Sequence, residues 1–105
     1  MIGNILASIT PIDVIAAAPG GSFAVLSIIF CNKNTLTDRI INIHAVPTGG
    51  SANDNNLIVS NKLLRKNDTF VWTANEKFIL FDGQKIVVSA DANNDVVVTY
   101  NGMAI

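Results

Sequence analysis

The stretch Glu76–Gly102, EKFILFDGQKIVVSADANNDVVVTYNG, holds three apolar runs separated by two clusters of turn-forming residues. KFILF, KIVVS and VVVTY are short and rich in β-branched and aromatic side chains, so each reads as a strand. Between the first two stands Asp82-Gly83, a pair that tolerates positive φ and closes a short hairpin. Between the second and third stands Asp91–Asp95, DANND, whose side chains hydrogen-bond their own backbone and stabilise turns. Turn geometry alone therefore accounts for the acidic residues gathered here.

Working outward, the same grammar holds. IDVIAAA (Ile12–Ala18) precedes the turn cluster Pro19-Gly20-Gly21-Ser22. FAVLSIIFCN (Phe23–Asn32) is nearly continuous in apolar residues, as a central strand covered on both faces would be. DRIINIHAV (Asp38–Val46) alternates, with Arg39, Ile41, Ile43 and Ala45 on one face and Ile40, Asn42, His44 and Val46 on the other. PTGGSANDNN (Pro47–Asn56) reads as a long loop. LIVS (Leu57–Ser60) reads as a short strand or one helical turn, TFVWT (Thr69–Thr73) as a short strand, and NGMAI as a tail. No segment carries a sustained helical stripe, and no internal repeat is visible. About eight short strands with turn signals between them predict an all-β fold, a single antiparallel β-sandwich of jelly-roll or immunoglobulin-like kind.

The chain has 105 residues, one domain's worth (1–105). Half of its residues are hydrophobic, only 14% are charged, and mean hydropathy is +0.41. That is more apolar material than a small monomer easily hides, so part of it is expected to be covered by other subunits. A net charge of −1, with basic residues spread along the chain, leaves no footprint for nucleic acid or an anionic membrane. The N-terminal stretch lacks the basic start and the unbroken apolar core of a signal peptide. No run approaches the roughly 18 apolar residues of a membrane span. The expectation is a soluble protein without an address label.

Candidate sites are few. Asp91, Asn93 and Asp95 match the opening D-x-N-x-D of a calcium loop. Val96 stands where that loop needs glycine and Gly102 where it needs glutamate, and the flanks are strands. His44, the one histidine, lacks the partners that a zinc or catalytic site requires and reads as a sheet-surface or interface residue. Cys31, the one cysteine, excludes an internal disulfide and reads as a small buried thiol. Asp13, Asp38, Asp54, Asp68, Glu76, Asp82, Asp91 and Asp95 sit almost entirely in or beside predicted turns, where carboxylates stay solvated and ionised. Nothing pairs two of them in an apolar pocket, so no enzyme is expected: no catalytic residue, no cofactor and no metal. Asn67-Asp68-Thr69 spells a glycosylation sequon but reads as the start of a strand, and Trp72 with Phe70 reads as core rather than a stacking platform.

NKLLRKNDTFVW and EKFILFDGQKIVVSADANNDVVVTYNGMAI, taken with the earlier VLSIIFCNKN, resemble a family of small β-sandwich proteins in the virions of tailed bacteriophages, many from marine and freshwater hosts. In that family a strand ending in a C/A-N turn, here Cys31-Asn32, is followed by an alternating strand, a loop and a lDGqkI-type ending, here Leu80–Ile86 (LFDGQKI). The resemblance spans roughly Phe23–Ile105; Asp82 and the loop Pro47–Asn56 depart from many relatives. It implies a non-enzymatic virion protein, first a capsid decoration (cement) protein, alternatively a tail fibre- or baseplate-associated module that binds host carbohydrate. It further implies a homo-oligomer, with a trimer favoured, that contacts the major capsid protein or other virion proteins and is assembled in the bacterial host cytoplasm. The loops Asn32–Asp38 and Pro47–Asn56 are the expected contacts with partners or solvent, and Phe30, Trp72, Phe78, Leu80 and Phe81 the expected core or interface.

Overall fold

A computed structural model describes residues 2–105, without the side chains of residues 74–77. Eight strands form two four-stranded antiparallel sheets: β1 (Ile2–Leu6), β2 (Ile12–Ala16), β3 (Ser22–Asn32), β4 (Arg39–Val46), β5 (Leu57–Leu64), β6 (Thr69–Phe81), β7 (Lys85–Ala90) and β8 (Val96–Ala104). Sheet A has the order β1-β8-β3-β6 and sheet B the order β2-β7-β4-β5. β1 pairs with β8, β2 with β7, β3 with β6 and β4 with β5. The chain is thus one long antiparallel ribbon folded over on itself, with the loop 47–56 at its bend. This is the winding of a jelly roll, not of an immunoglobulin domain.

The core is filled from both inner faces by residues spaced two apart. β3 contributes Phe23, Val25, Ile28 and Phe30, β4 Ile41 and Ile43, β7 Ile86 and Val88, and β8 Val96 and Val98. In β3 the spacing slips by one at Leu26, where the pairing with both neighbours shifts register. This bulge explains why FAVLSIIF shows no clean alternation. Phe30 is fully buried and stacks on Phe70 with ring centroids 6.0 Å apart; Leu80 is buried as well. Trp72 and Phe78 are half-buried against the core in an edge-to-face pair at 5.5 Å. Phe81, expected with them in the core or interface, is 52% exposed on the outside of sheet A.

Several expectations need correction. TFVWT and KFILF are parts of one strand, β6, which pairs with β3 through Thr73↔Ser27 and Phe78↔Val25. Ile2–Leu6 and all of the supposed tail except Ile105 are strand, because β8 pairs with β1 up to Asn101 and with β3 up to Ala104. β5 runs on to Leu64, and the helical turn lies just before it, a 3-10 turn at Asp54–Asn56. Asp82 (φ 50°) and Gly83 (φ 81°) do form a tight turn. The strands it joins belong to different sheets, so it is a corner rather than a hairpin. Turn chemistry specifies where a chain reverses, whereas burial decides which strands then pair.

Three of the four sheet edges are blunted, which matters for what the protein can bind. β1 has five residues, and β2 has five with a register shift at Val14. β5 is bulged at Ser60-Asn61, where Asn61 is left-handed (φ 51°), and its Lys62 ammonium lies 5.1 Å from the centre of the Phe70 ring. β6, the fourth edge, is a strand of 13 residues.

Candidate interaction surface

The turn residues with the strongest chemical potential knit one pole of the sandwich together. Asn32 is fully buried. Its Nδ2 donates to the carbonyls of Leu64 (3.0 Å), Thr37 (3.1 Å) and Arg65 (3.3 Å), while its Oδ1 accepts from the Asn34 amide at 3.0 Å. Asn34 Oδ1 in turn accepts from the amides of Leu36 and Thr37. The loop after β3 is therefore held from its first residue, and Asn32 belongs to the structure rather than to a free contact loop. Leu36, at its tip, is 84% exposed.

The three residues of the calcium-like pattern point to three different places. Asp91 Oδ1 accepts from the Ile40 amide (3.1 Å), Asn93 Oδ1 from the Ile9 amide (3.0 Å), and Asp95 Oδ2 from Arg39 Nε (2.7 Å) and Asn34 Nδ2 (3.1 Å). The Asn34 amide, reinforced by the Arg39 guanidinium, holds the Asp95 carboxyl below its ordinary value. Among the described residues no cluster of His, Cys, Asp or Glu is arranged to hold a metal ion. Glu76 lies outside the described side chains.

His44 is not a surface residue. Its strand face points outward, but the loop 47–56 folds over it and leaves it 8% exposed. Its Nδ1 lies 2.9 Å from Asn56 Oδ1 and 3.1 Å from the Asn53 carbonyl. Asn56 Oδ1 also accepts from the Asn53 amide, so both neighbours of Nδ1 are acceptors and Nδ1 carries a proton. The other pole is tied by Asp82, which accepts from the Gly20 amide through Oδ1 and from Thr48 Oγ1 through its carbonyl. A shallow cleft of about 210 Å³ opens beside it between the sheets, lined by Ala45, Val46, Pro47, Phe78, Ile79, Leu80 and Gln84.

The outer faces of the two sheets differ sharply. On sheet B, Asp13 pairs with Lys85 at 3.2 Å, Asp91 lies at the end of β7, and the loop 47–56 roofs the centre through His44. Sheet A has no such finish. Its register sets Leu6–Val97–Cys31–Thr69, Asn4–Thr99–Ile29–Val71 and Ile2–Asn101–Ser27–Thr73 in rows across the four strands, and Met103–Ala24–Ile79 across three. No described side chain on this face is charged. Ile2, Leu6, Ile29, Val71, Ile79, Phe81 and Met103 are all strongly exposed on it, more than half of such large apolar residues in the described chain. Cys31, expected to be buried, sits half-exposed in the first row.

This surface was hidden in the sequence because its rows join residues up to about a hundred positions apart. A signal existed nonetheless. β1, β3 and β8 contain no charged residue at all, whereas every strand of sheet B contains one: Asp13, Arg39, Lys62 and Lys85. Compared with known protein families and with curated proteins, the sequence finds no match. No helix among the described residues is long and apolar enough to cross a membrane.

Proposed function

We propose that this chain is a non-enzymatic, self-associating structural component of a tailed-phage virion, acting as a capsid decoration protein. The observation that carries this reading is the outer face of sheet A, apolar and without charge among its described side chains. A soluble monomer has no use for such a face, and covering it yields roughly 25 cal/mol per Å² of apolar surface. Placement on a phage particle rests on the resemblance over Phe23–Ile105, with support by fold analogy, since jelly rolls recur in viral capsid domains. The turn carboxylates Asp82, Asp91 and Asp95 are occupied with backbone amides, Asn34 and Arg39. What remains is adhesion, multiplied by many attachments on one particle.

The carbohydrate-binding alternative has less behind it. Trp72, the residue best suited to stack on a sugar, faces into the sandwich against Phe78. Immunogold microscopy with antiserum against this chain, applied to particles of the phage that encodes it, tests the assignment. Labelling over the heads is expected. Labelling confined to tails or fibres would transfer the chain to the adhesion reading, and particles without label would remove the virion assignment.

A further inference from the structure

We infer that the outer face of sheet A is the surface on which two copies of this chain pack against each other, sheet on sheet, about a two-fold axis. This rests on the self-association reading above and adds which surface is used and how.

The occupant follows from charge. When a surface meets its own copy, each residue near the axis meets itself, so any charge there meets its like. Across four strands, no described residue of this face is charged. The face of sheet B, with Asp13, Lys85 and Asp91, lacks that property. Polar groups on the sheet A face are also partly satisfied before anything docks, since Thr99 Oγ1 donates to Asn4 Oδ1 at 2.7 Å.

Sequence and size agree. β3 has the composition of a strand covered on both faces, yet Ile29 near the centre of the open face remains 37% exposed. Four strands about 4.8 Å apart, averaging about nine residues at 3.3 Å each, make a face of about 600 Å². Two such faces bury about 1,200 Å² in total, the lower bound for a specific and stable interface. Growth in the plane of the sheet is hindered at the short or bulged β1, β2 and β5 edges, while the apolar rows of sheet A lie open to stacking.

Sedimentation equilibrium of the wild type, Ile29→Glu and Leu63→Glu tests this. Leu63 is a 47% exposed residue on the outside of sheet B. The wild type and Leu63→Glu are expected to associate alike, and Ile29→Glu to raise the concentration of half-association at least about a hundredfold. Circular dichroism checks that each variant folds; if Ile29→Glu does not, Val71→Glu, 51% exposed on the same face, replaces it. Alkylation of the native Cys31 supplies an independent readout and is expected to slow at least about tenfold as the wild type associates. Association unchanged by Ile29→Glu or Val71→Glu, with Cys31 unprotected, overturns the choice of face and leaves self-association standing. A wild type that stays monomeric to about 1 mM overturns both.

Discussion

Sheet B meets solvent with an ion pair, Asp13–Lys85, and a roof formed by its own loop over His44, while sheet A presents bare rows such as Asn4–Thr99–Ile29–Val71. Both sheets are built by the same rule, with inward residues two apart feeding one shared core. The outward residues therefore carry the information that distinguishes them. Charged residues cannot be left in a dry contact without partners, so where they are placed marks the surface meant for water. Among the described residues they fall on sheet B and at the loops. The difference teaches that the excess of apolar residues is not spread evenly but concentrated on one side.

The sharpest way to break the comparison uses two adjacent isoleucines of β3. Ile28 is fully buried and Ile29 points to the open face. Under dissociating dilution, Ile28→Ala is expected to lower unfolding free energy by about 3–4 kcal/mol, through lost transfer energy and the cavity left behind. Ile29→Ala should change it by less than about 0.5 kcal/mol. At concentrations where copies associate, the stability of Ile29→Ala should fall behind that of the wild type, because the wild type alone gains fully from the interface. Denaturant melts at two protein concentrations measure both effects. Equal losses at high dilution would mean that the outer face is covered within the monomer.

A second substitution probes the pole that both sheets share. Asn32→Leu removes the donor of three carbonyls, those of Thr37, Leu64 and Arg65, in a site closed to water. It is expected to cost about 2–3 kcal/mol in denaturant melts, less than Ile28→Ala because Leu keeps the site filled. A loss below about 0.5 kcal/mol would show that water replaces the amide, and that the pole is more open than its geometry implies.

How much of this could be read from the residues follows from what is local and what is not. Asp82-Gly83 announced its turn because positive φ is a property of two residues. That β6 and β7 then part into different sheets depends on partners as far away as Ile12 is from Val88. β1 escaped notice because it is a five-residue edge strand, with Gly3 lying under the Tyr100 ring, where a side chain would collide with it. β6 looked like two strands because the polar Asn75-Glu76-Lys77 separates two apolar runs in the sequence. His44 looked exposed because its cover comes from a loop that composition identifies but cannot place. The all-β class and the set of apolar strands were local properties and were legible; the winding and the bare face depended on register.

His44 offers a smaller test of the roofed side. His44→Ala removes the Nδ1–H that binds Asn56 Oδ1 and the Asn53 carbonyl, and it leaves the loop 47–56 without its anchor. A loss of about 1–2 kcal/mol is expected, together with faster limited proteolysis within 47–56. Self-association should be unaffected, because this roof lies on the side that is already finished. If His44→Ala did abolish association, the docking surface would have to include sheet B.

The smallest expected effect concerns Asp95, which joins the start of β8 in sheet A to Arg39 at the start of β4 in sheet B. Asn34 and Arg39 lower its proton affinity in the fold, so the ionised form favours folding. That contribution is complete above the ordinary carboxylate range and is lost as pH falls through the lowered folded value. Asp95→Asn should therefore be less stable than the wild type near neutral pH, with the gap closing on acidification; urea melts across that range measure it. The effect stays small because the side chain is a quarter exposed and solvent screens the pair. A gap that persisted in acid would assign the role of Asp95 to hydrogen-bond geometry rather than to charge. Charge would then serve this molecule only on the face of sheet B, and the clamp between the sheets would work as well with an amide.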